Sequence, residues 1–132
     1  MVDGGFDPIH DGHVRYFEAA AVLGAPVLCN VSGDAWVGRK HAPLLPLDQR
    51  AAVIDAFRAI TYTHPSSIET VEVLARLRPR AYVKGSDWRG HLPAEQVELC
   101  ARVGIEIVFV DTVTNSSTAL LAAYRDREEA RR

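Results

Sequence analysis

The sequence predicts an α/β fold: a single doubly wound, Rossmann-like parallel sheet of five strands, with helices on both faces. Two observations predict it. Short apolar runs alternate along the chain with longer segments in which apolar residues recur at helical spacing. Strands that alternate with helices of about 10–13 residues form βαβ units, and right-handed crossovers between such units build a parallel sheet that is covered on both faces.

The strands are predicted from five positions along the chain. Apolar, β-branched and aromatic runs predict four of them over residues 25–32, 59–64, 81–84 and 105–110. Only three residues precede Gly4 and Gly5, so the alternatives for the first strand are that it is short or that the natural chain begins earlier than this sequence. No interdomain linker or internal repeat interrupts the pattern, so residues 1–132 are expected to form one domain.

The helices follow from apolar spacing and from capping residues. Helical periodicity predicts them over residues 12–23, 47–57, 68–77 and 92–103. A last helix is expected to begin at an N-cap formed by Asn115 or Ser116 and to run to about Arg127. The charged residues 125–132 are expected to fray.

Composition excludes several classes of protein. Apolar residues make up 48% and charged residues 24%, which is typical of a globular chain and not of a disordered one. The net charge of -2 gives no basic surface for nucleic acid, and no apolar run reaches the roughly 20 residues that a membrane helix needs. Without a signal-peptide pattern, and with Cys29 and Cys100 read as buried free thiols, we expect a cytoplasmic protein that binds neither nucleic acid nor membrane.

Two lysines and one short segment provide residue types that bind phosphate. The chain has 15 basic residues, of which only Lys40 and Lys84 are lysines, so each of these is a candidate for a role that needs a compact ammonium group; chance is the alternative. In residues 4–13, a pair of glycines permits a close backbone approach, and a helix then begins near Gly12. His10 and His13 lie at its N-terminus, where imidazoles and free N–H groups can bind an anion. Metal chelation or plain surface positions are the alternatives for the two histidines.

Four segments together resemble one family. Residues 5–13 resemble the H-x-G-H signature of the cytidylyltransferase-like nucleotidyltransferases, and Lys40 follows Ser32 near the place of the family's phosphate-binding lysine. Residues 83–88 are similar to its K-G-x-D-[YW] segment, and residues 115–118 to its I-S-[ST]-T segment. The resemblance covers almost the whole chain and is closest to the heptose-phosphate adenylyltransferase and glycerol-3-phosphate cytidylyltransferase branch.

The resemblance implies transfer of an AMP or CMP group from ATP or CTP to a small phosphorylated sugar, alcohol or phosphonate, with release of pyrophosphate. Adenylyl transfer is preferred, and cytidylyl transfer to a polyol or amino-alcohol phosphate is the alternative. A third alternative is a non-catalytic nucleotide-binding module of a kinase–transferase pair. Mg²⁺ is expected to bridge the triphosphate, and a homodimer is expected from the size of the domain.

The resemblance also implies roles for individual residues. His10, His13 and Lys40 are the expected catalytic residues, which would stabilise charge on the phosphates. Arg50 and Arg58 are expected as further phosphate contacts, with exposed helix positions as the alternative. Asp7 would approach the Mg²⁺ or orient its turn. The expected nucleotide-binding residues are Gly5, Phe6, Asp7, Gly12, Lys84, Gly85, Asp87, Ser116, Ser117 and Thr118.

Three of these expectations have structural alternatives. Lys40 could be a solvated loop residue, the hydroxyls of residues 116–118 could only cap a helix, and Asp87 could only cap a turn. The sequence leaves open whether Trp36 and Trp88 belong to the core or to the wall of a site. His41, His64 and His91 are interpreted as surface or loop residues.

Overall fold

A computed structural model describes residues 1–112 and 116–132. Its strands are β1 (Val2–Gly4), β2 (Leu28–Ser32), β3 (Tyr62–Ser66), β4 (Ala81–Gly85) and β5 (Glu106–Val110). Its helices are α1 (Asp11–Val22), α2 (Asp34–Val37), α3 (Leu47–Asp55), α4 (Thr70–Leu77), α5 (Ala94–Val103) and α6 (Ser117–Ala130), with a 3₁₀ turn at Ser86–Trp88. The predicted alternation of strands and helices is confirmed.

The strands form two parallel sheets, so the prediction of a single five-stranded sheet is wrong. One sheet has the order β1-β2-β3, and the other pairs β4 with β5. Met1 forms the backbone bonds between them: its amino group donates to the carbonyl of Ala81 at 2.6 Å, and its carbonyl accepts the N–H of Val83 at 2.8 Å. The carboxylate of Asp3 on β1 also accepts hydrogen bonds from the side chains of Tyr82 and Lys84 on β4. The two backbone bonds do not continue into a ladder, so β1 pairs as a strand with β2 and not with β4.

Helices cover both faces of the strands, as predicted. On one face, Phe17 of α1 and Ile54 of α3 belong to a core that includes Val31 and Val83. On the other face, Leu74 of α4 belongs to a second core with α5, Met1 and Tyr82. Adjacent strand residues such as Tyr82 and Val83 enter opposite cores because side chains alternate across a strand.

Several elements differ from the prediction in their ends, and two short ones were not predicted. The third strand begins at Tyr62, later than the apolar pattern indicated. The charged segment that was expected to fray is helical as far as Ala130. The short helix α2 and the 3₁₀ turn were not predicted, because so few residues carry no periodic signal. In the described part of the chain, no helix is long and apolar enough to cross a bilayer.

Parallel pairing places the carboxyl ends of the strands at a common edge. Ligands bind at this edge in open α/β sheets, because the helices that follow the strands present their N-termini there. Helix α1 begins seven positions after the end of β1, and α6 follows β5. The candidate site must therefore be sought between these two helix N-termini and the segments after β2 and β4.

Candidate active site

A cleft of about 240 Å³ opens at the carboxyl ends of the strands. His10, His13 and Lys40 line it, together with all ten residues that were expected to bind nucleotide. These residues come from the β1–α1 turn, the segment after β2, the turn after β4 and the start of α6. The structure therefore brings the expected imidazoles, ammonium groups and helix N-termini to one cavity, while their roles in binding stay predictions.

The turn between β1 and α1 is closely packed against α2. A Cβ atom on Gly5 would lie 2.9 Å from a methyl group of Val37 and 3.3 Å from the ring of Trp36, so only glycine fits. Phe6 has a positive φ of 53°, a left-handed conformation that costs a non-glycine residue roughly 1–2 kcal/mol. Its buried ring offsets that cost by packing edge-to-face on Phe17, with ring centroids 5.2 Å apart.

Asp7 holds the loop that follows Lys40. Its carboxylate is buried and accepts the backbone N–H of Leu44 at 2.7 Å and that of Leu45 at 3.2 Å. Charge-assisted hydrogen bonds of this kind fix a loop more firmly than neutral ones. Of the two roles expected for Asp7, these contacts favour that of orienting the backbone.

The two histidines form a stacked pair at the N-terminus of α1. Their ring centroids are 3.7 Å apart, and the planes are inclined by 22°. The Nδ1 atom of His13 accepts the backbone N–H of His10 at 3.2 Å, and the ring of Phe6 meets that of His13 edge-on at 5.1 Å. Both rings are thereby held on the side of the cleft from which α1 starts.

Burial keeps these imidazoles neutral. Burial, the largest cause, and the neighbouring His10 together lower the pKa of His13 to about 3, against a smaller opposing effect of Asp11. Burial also lowers the pKa of His10. Because Nδ1 of His13 is an acceptor, its ring proton is assigned to Nε2. His13 can therefore serve as a neutral hydrogen-bond donor.

Lys40 is exposed on its loop, but its ammonium group lies at the cleft between two aromatic rings. The Nζ atom is 4.9 Å from the centroid of Trp36 and 5.8 Å from that of Trp88. Both tryptophans line the cleft and are half-buried. The structure thus places both rings in the wall of the site, a choice that the sequence left open.

Lys84 lies at the floor of the cleft in a buried ion pair that the sequence did not predict. Its Nζ donates to the carboxylate of Asp3 at 2.8 Å, and both side chains are less than 10% exposed. Asp3 also accepts the hydroxyls of Thr70 at 2.9 Å and Tyr82 at 3.2 Å. The charge of Lys84 is therefore already compensated, which distinguishes it from Lys40.

The start of α6 is tied to the β1–α1 turn. Ser116 is the N-cap of α6, and its hydroxyl accepts the N–H of Ala119 at 3.1 Å. The sequence predicted either Ser116 or Asn115 as this cap, and Asn115 lies outside the described residues. The hydroxyl of Ser117 donates to the carbonyl of Pro8 at 2.8 Å. The residues at the start of α6 thus both cap the helix and line the cleft.

Neither of the two arginines expected to contact phosphate lines the cleft. Arg50 is only 1% exposed, and its guanidinium donates to the carbonyls of Gly5, Ser32 and Leu45 and to Asp34, at 2.6–2.9 Å. Arg50 therefore supports the β1–α1 turn on the side away from the cleft. This role is neither of the two predicted ones, which were a phosphate contact and an exposed helix position. Arg58 is exposed and lies beside a separate groove between α1 and α3.

Sequence reasoning missed several groups at the cleft. Asp3 could have been suspected, because a carboxylate directly before the glycine pair needs a buried partner. His41 was interpreted as a surface or loop residue, yet it lines the cleft with its ring nitrogen 3.0 Å from the carbonyl of Ala42. No sequence pattern pointed to Thr112, which also lines the cleft. Of the remaining histidines, His64 is paired with Asn30 at 3.0 Å.

The described side chains do not form a metal centre of their own. Among residues 1–112 and 116–132 there is no group of three histidine, cysteine, aspartate or glutamate side chains that could hold an ion. Both oxygens of Asp7 already accept backbone N–H groups, and Asp3 is paired with Lys84. A resident Mg²⁺ cage does not fit this arrangement, whereas Mg²⁺ carried on the phosphates of a substrate would need no such cage.

Comparisons with known proteins identify the family of this chain. The family model described as cytidylyltransferase-like matches residues 1–123. The chain is 34% identical to a protein named bifunctional protein HldE of Chromohalobacter salexigens, over 97% of this chain and 28% of that protein. It is also 34% identical to the protein of the same name from Shewanella denitrificans, over 89% of this chain and 26% of that protein. The chain thus spans about a quarter of the length of these curated relatives.

Solved structures share the fold. The chain superimposes with a TM-score of 0.71 on a lipopolysaccharide core biosynthesis protein from Thermoplasma volcanium, covering 86% of this chain and 95% of that one at 19% identity. A protein of unknown function from Archaeoglobus fulgidus aligns with a TM-score of 0.59, also at 19% identity, over 84% of this chain and 98% of that one. Since the family model covers nearly the whole sequence and relatives at 34% identity align with it over almost its full length, the chain belongs to the cytidylyltransferase-like family of nucleotidyltransferases.

Proposed function

We propose that this chain transfers an AMP group from ATP to a small sugar phosphate and releases pyrophosphate. The observation that carries the proposal is the convergence of His10, His13, Lys40 and the N-termini of α1 and α6 on one cleft. That set of groups suits a polyanion, because donors and positive dipole ends approach it from several sides. Adenylyl transfer to a sugar phosphate is preferred because the sequence resembles the heptose-phosphate branch of its family.

In the proposed reaction, an oxygen of the acceptor's phosphate attacks the α-phosphorus of the triphosphate. A new P–O bond forms as the bond from the α-phosphorus to the bridging oxygen breaks, and pyrophosphate leaves with that electron pair. The attacking oxygen is already anionic, so the protein need not supply a strong base. Its task is to position the reactants and to stabilise the charge that builds up on the crowded phosphorus.

The residues of the cleft divide this task. His10 and His13 donate to the α- and β-phosphates as neutral imidazoles, which their lowered pKa values favour. Lys40 supplies the mobile positive charge that brings the acceptor's phosphate against the α-phosphate. The start of α6, residues 116–118, holds the β- and γ-phosphates. Lys84, Gly85 and Asp87 face the nucleoside, and Mg²⁺ arrives on the triphosphate as part of the substrate.

A pyrophosphate-release assay with the four ribonucleoside triphosphates and a panel of sugar, polyol and amino-alcohol phosphates tests the proposal. We expect turnover with ATP and a sugar phosphate. Turnover only with CTP and a polyol or amino-alcohol phosphate would replace it with the cytidylyl alternative. Binding of triphosphate without turnover on any acceptor would leave a non-catalytic nucleotide-binding module.

We further propose that the chain acts as a homodimer in the cytoplasm. An open groove between α1 and α3 is lined by apolar residues, with Glu18 and Arg58 among its charged members. A twofold axis that passes between Glu18 and Arg58 would place each of them against the opposite charge of the second copy. Sedimentation equilibrium of the purified chain measures its mass; a monomer at all concentrations would exclude the dimer.

A further inference from the structure

Two tryptophans flank the ammonium group of Lys40, and no step of the proposed reaction uses them. Trp36 belongs to α2, which follows β2, and Trp88 belongs to the turn that follows β4. The Nζ atom of Lys40 lies 4.9 Å from one ring centroid and 5.8 Å from the other. Both distances are within the range of about 6 Å over which an ammonium is attracted to an aromatic face.

The surroundings of Lys40 make this contact informative. No carboxylate pairs with Lys40 in the part of the chain that the structure describes. A lysine side chain in open solvent samples many rotamers and must lose that freedom when it binds a phosphate. An aromatic face restricts the ammonium without neutralising its charge and without using an oxygen acceptor.

Both rings are themselves held by the rest of the fold. The ring of Trp36 packs tightly against the β1–α1 turn, since a Cβ atom on Gly5 would lie 3.3 Å from it. The turn that carries Trp88 is tied to the end of β5, since the hydroxyl of Ser86 donates to the carboxylate of Asp111 at 3.2 Å. The Nζ atom of Lys84, fixed by its ion pair with Asp3, also lies 4.5 Å from the ring of Trp88.

We propose that Trp36 and Trp88 are positioning residues that hold the ammonium group of Lys40 over the cleft with its charge available to a phosphate. The inference rests on the proposed function, because it assigns these rings to the lysine that the reaction uses. Trp88 is shared between two ammonium groups, whereas Trp36 serves Lys40 alone.

The first experiment measures the contact without any turnover. The chain has only two lysines, so lysine labelled with ¹³C at Cε gives one side-chain NMR signal for Lys40 and one for Lys84. Ring currents displace the signal of a methylene that lies over an aromatic face. We expect Trp36→Leu to move only the Lys40 signal toward that of free lysine, and Trp88→Leu to move both. The control Tyr124→Leu removes an exposed aromatic ring on α6 and should move neither.

The second experiment measures positioning through kinetics. Trp36→Leu should lower kcat about fivefold to tenfold, the order expected for losing one ammonium–aromatic contact, with the KM for triphosphate within about twofold. Trp36→Phe keeps an aromatic face and should restore part of kcat together with the displaced Lys40 signal, whereas recovery of packing alone would leave that signal near that of free lysine. An unchanged or raised kcat in Trp36→Leu would overturn the inference, because the ring would then be dispensable or would hold Lys40 away from the phosphates.

The two experiments separate this inference from the proposed function. If no triphosphate is turned over but the Lys40 signal responds to both tryptophan variants as expected, the proposed function fails and the aromatic contact stands. If turnover is found and the Lys40 signal of the unaltered chain already matches free lysine, the positioning role fails and the proposed function stands.

Discussion

The wall of the cleft that carries the two histidines is mostly buried or half-buried and is tied by hydrogen bonds, whereas Lys40 on the second wall is exposed and its ammonium group contacts aromatic rings. In the first wall, residues 4–13, Arg50 donates to the carbonyl of Gly5, and Ser117 donates to that of Pro8. In the second wall, residues 36–41, the ammonium contacts only the faces of Trp36 and Trp88 among the interactions described.

This difference suits the chemistry proposed for each wall. Neutral imidazoles donate hydrogen bonds, which depend steeply on angle, so they need a rigid support. An ammonium group acts as a point charge, whose attraction falls slowly with distance and tolerates movement. The histidine wall should therefore respond to substitution as one rigid unit, and the lysine wall in small graded steps.

The largest expected effect is on the support behind the histidine wall. Arg50→Ala removes the donor to the carbonyls of Gly5, Ser32 and Leu45 and should lower the free energy of unfolding by about 3–5 kcal/mol. The matched control Arg58→Ala replaces an exposed arginine and should change it by about 0.5 kcal/mol or less. Urea denaturation measures both; equal effects would contradict the assignment of Arg50 to this support.

The next effect is on the chemistry of that wall. His10→Ala should lower kcat about 10²–10³-fold, the range found when one preorganised donor to a developing charge is removed. Binding of triphosphate should persist, because Lys40 and both helix N-termini remain. Pyrophosphate release and equilibrium binding measure the two quantities, with the exposed His91→Ala as control. Near-normal turnover in His10→Ala would remove His10 from the mechanism.

A smaller effect concerns the dependence of stability on pH. The pKa of His13 is about 3 in the folded chain, and an unfolded histidine titrates at about 6.5, so the unfolded chain binds the extra proton between these values. Stability from this group is present above pH 6.5 and is lost as the pH falls, by about 1.4 kcal/mol per pH unit. The variant His13→Gln has no ionisable group at this position and should not lose this stability. Urea denaturation of both chains at pH 6.5, 5.5 and 4.5 should show that the difference between their free energies of unfolding changes with pH. A constant difference would mean that His13 is protonated in the folded chain.

The smallest effect is expected at Asp7, which connects the histidine wall to the loop that follows Lys40. Asp7→Asn weakens the hydrogen bonds from Leu44 and Leu45 and should lower the free energy of unfolding by about 1–2 kcal/mol. Because these bonds orient the loop after Lys40, the Mg²⁺ concentration that gives half-maximal turnover should stay the same. A clear rise in that concentration would instead make Asp7 a ligand of the cation.

The two walls also differ in how far the sequence predicted them. The histidine wall is contiguous, so its glycines, its histidines and the helix start could be read directly from residues 4–13. Arg50 shows the limit, because its position on a helix suggested either an exposed side chain or a phosphate contact. Its burial depends on how α3 packs beneath the turn, which no local pattern records. The pairing of Asp3 with Lys84 was hidden for the same reason, since the two are far apart in the chain.

The amino-acid sequence by itself determined the α/β class, the parallel strands, the helices on both faces and the family, because apolar spacing and short motifs are local properties. Tertiary structure alone decided that the strands divide into two sheets, that Arg50 supports a turn, and that two tryptophans flank Lys40. These outcomes depend on distances between segments remote in the chain, and such distances are set by the packing of the whole core.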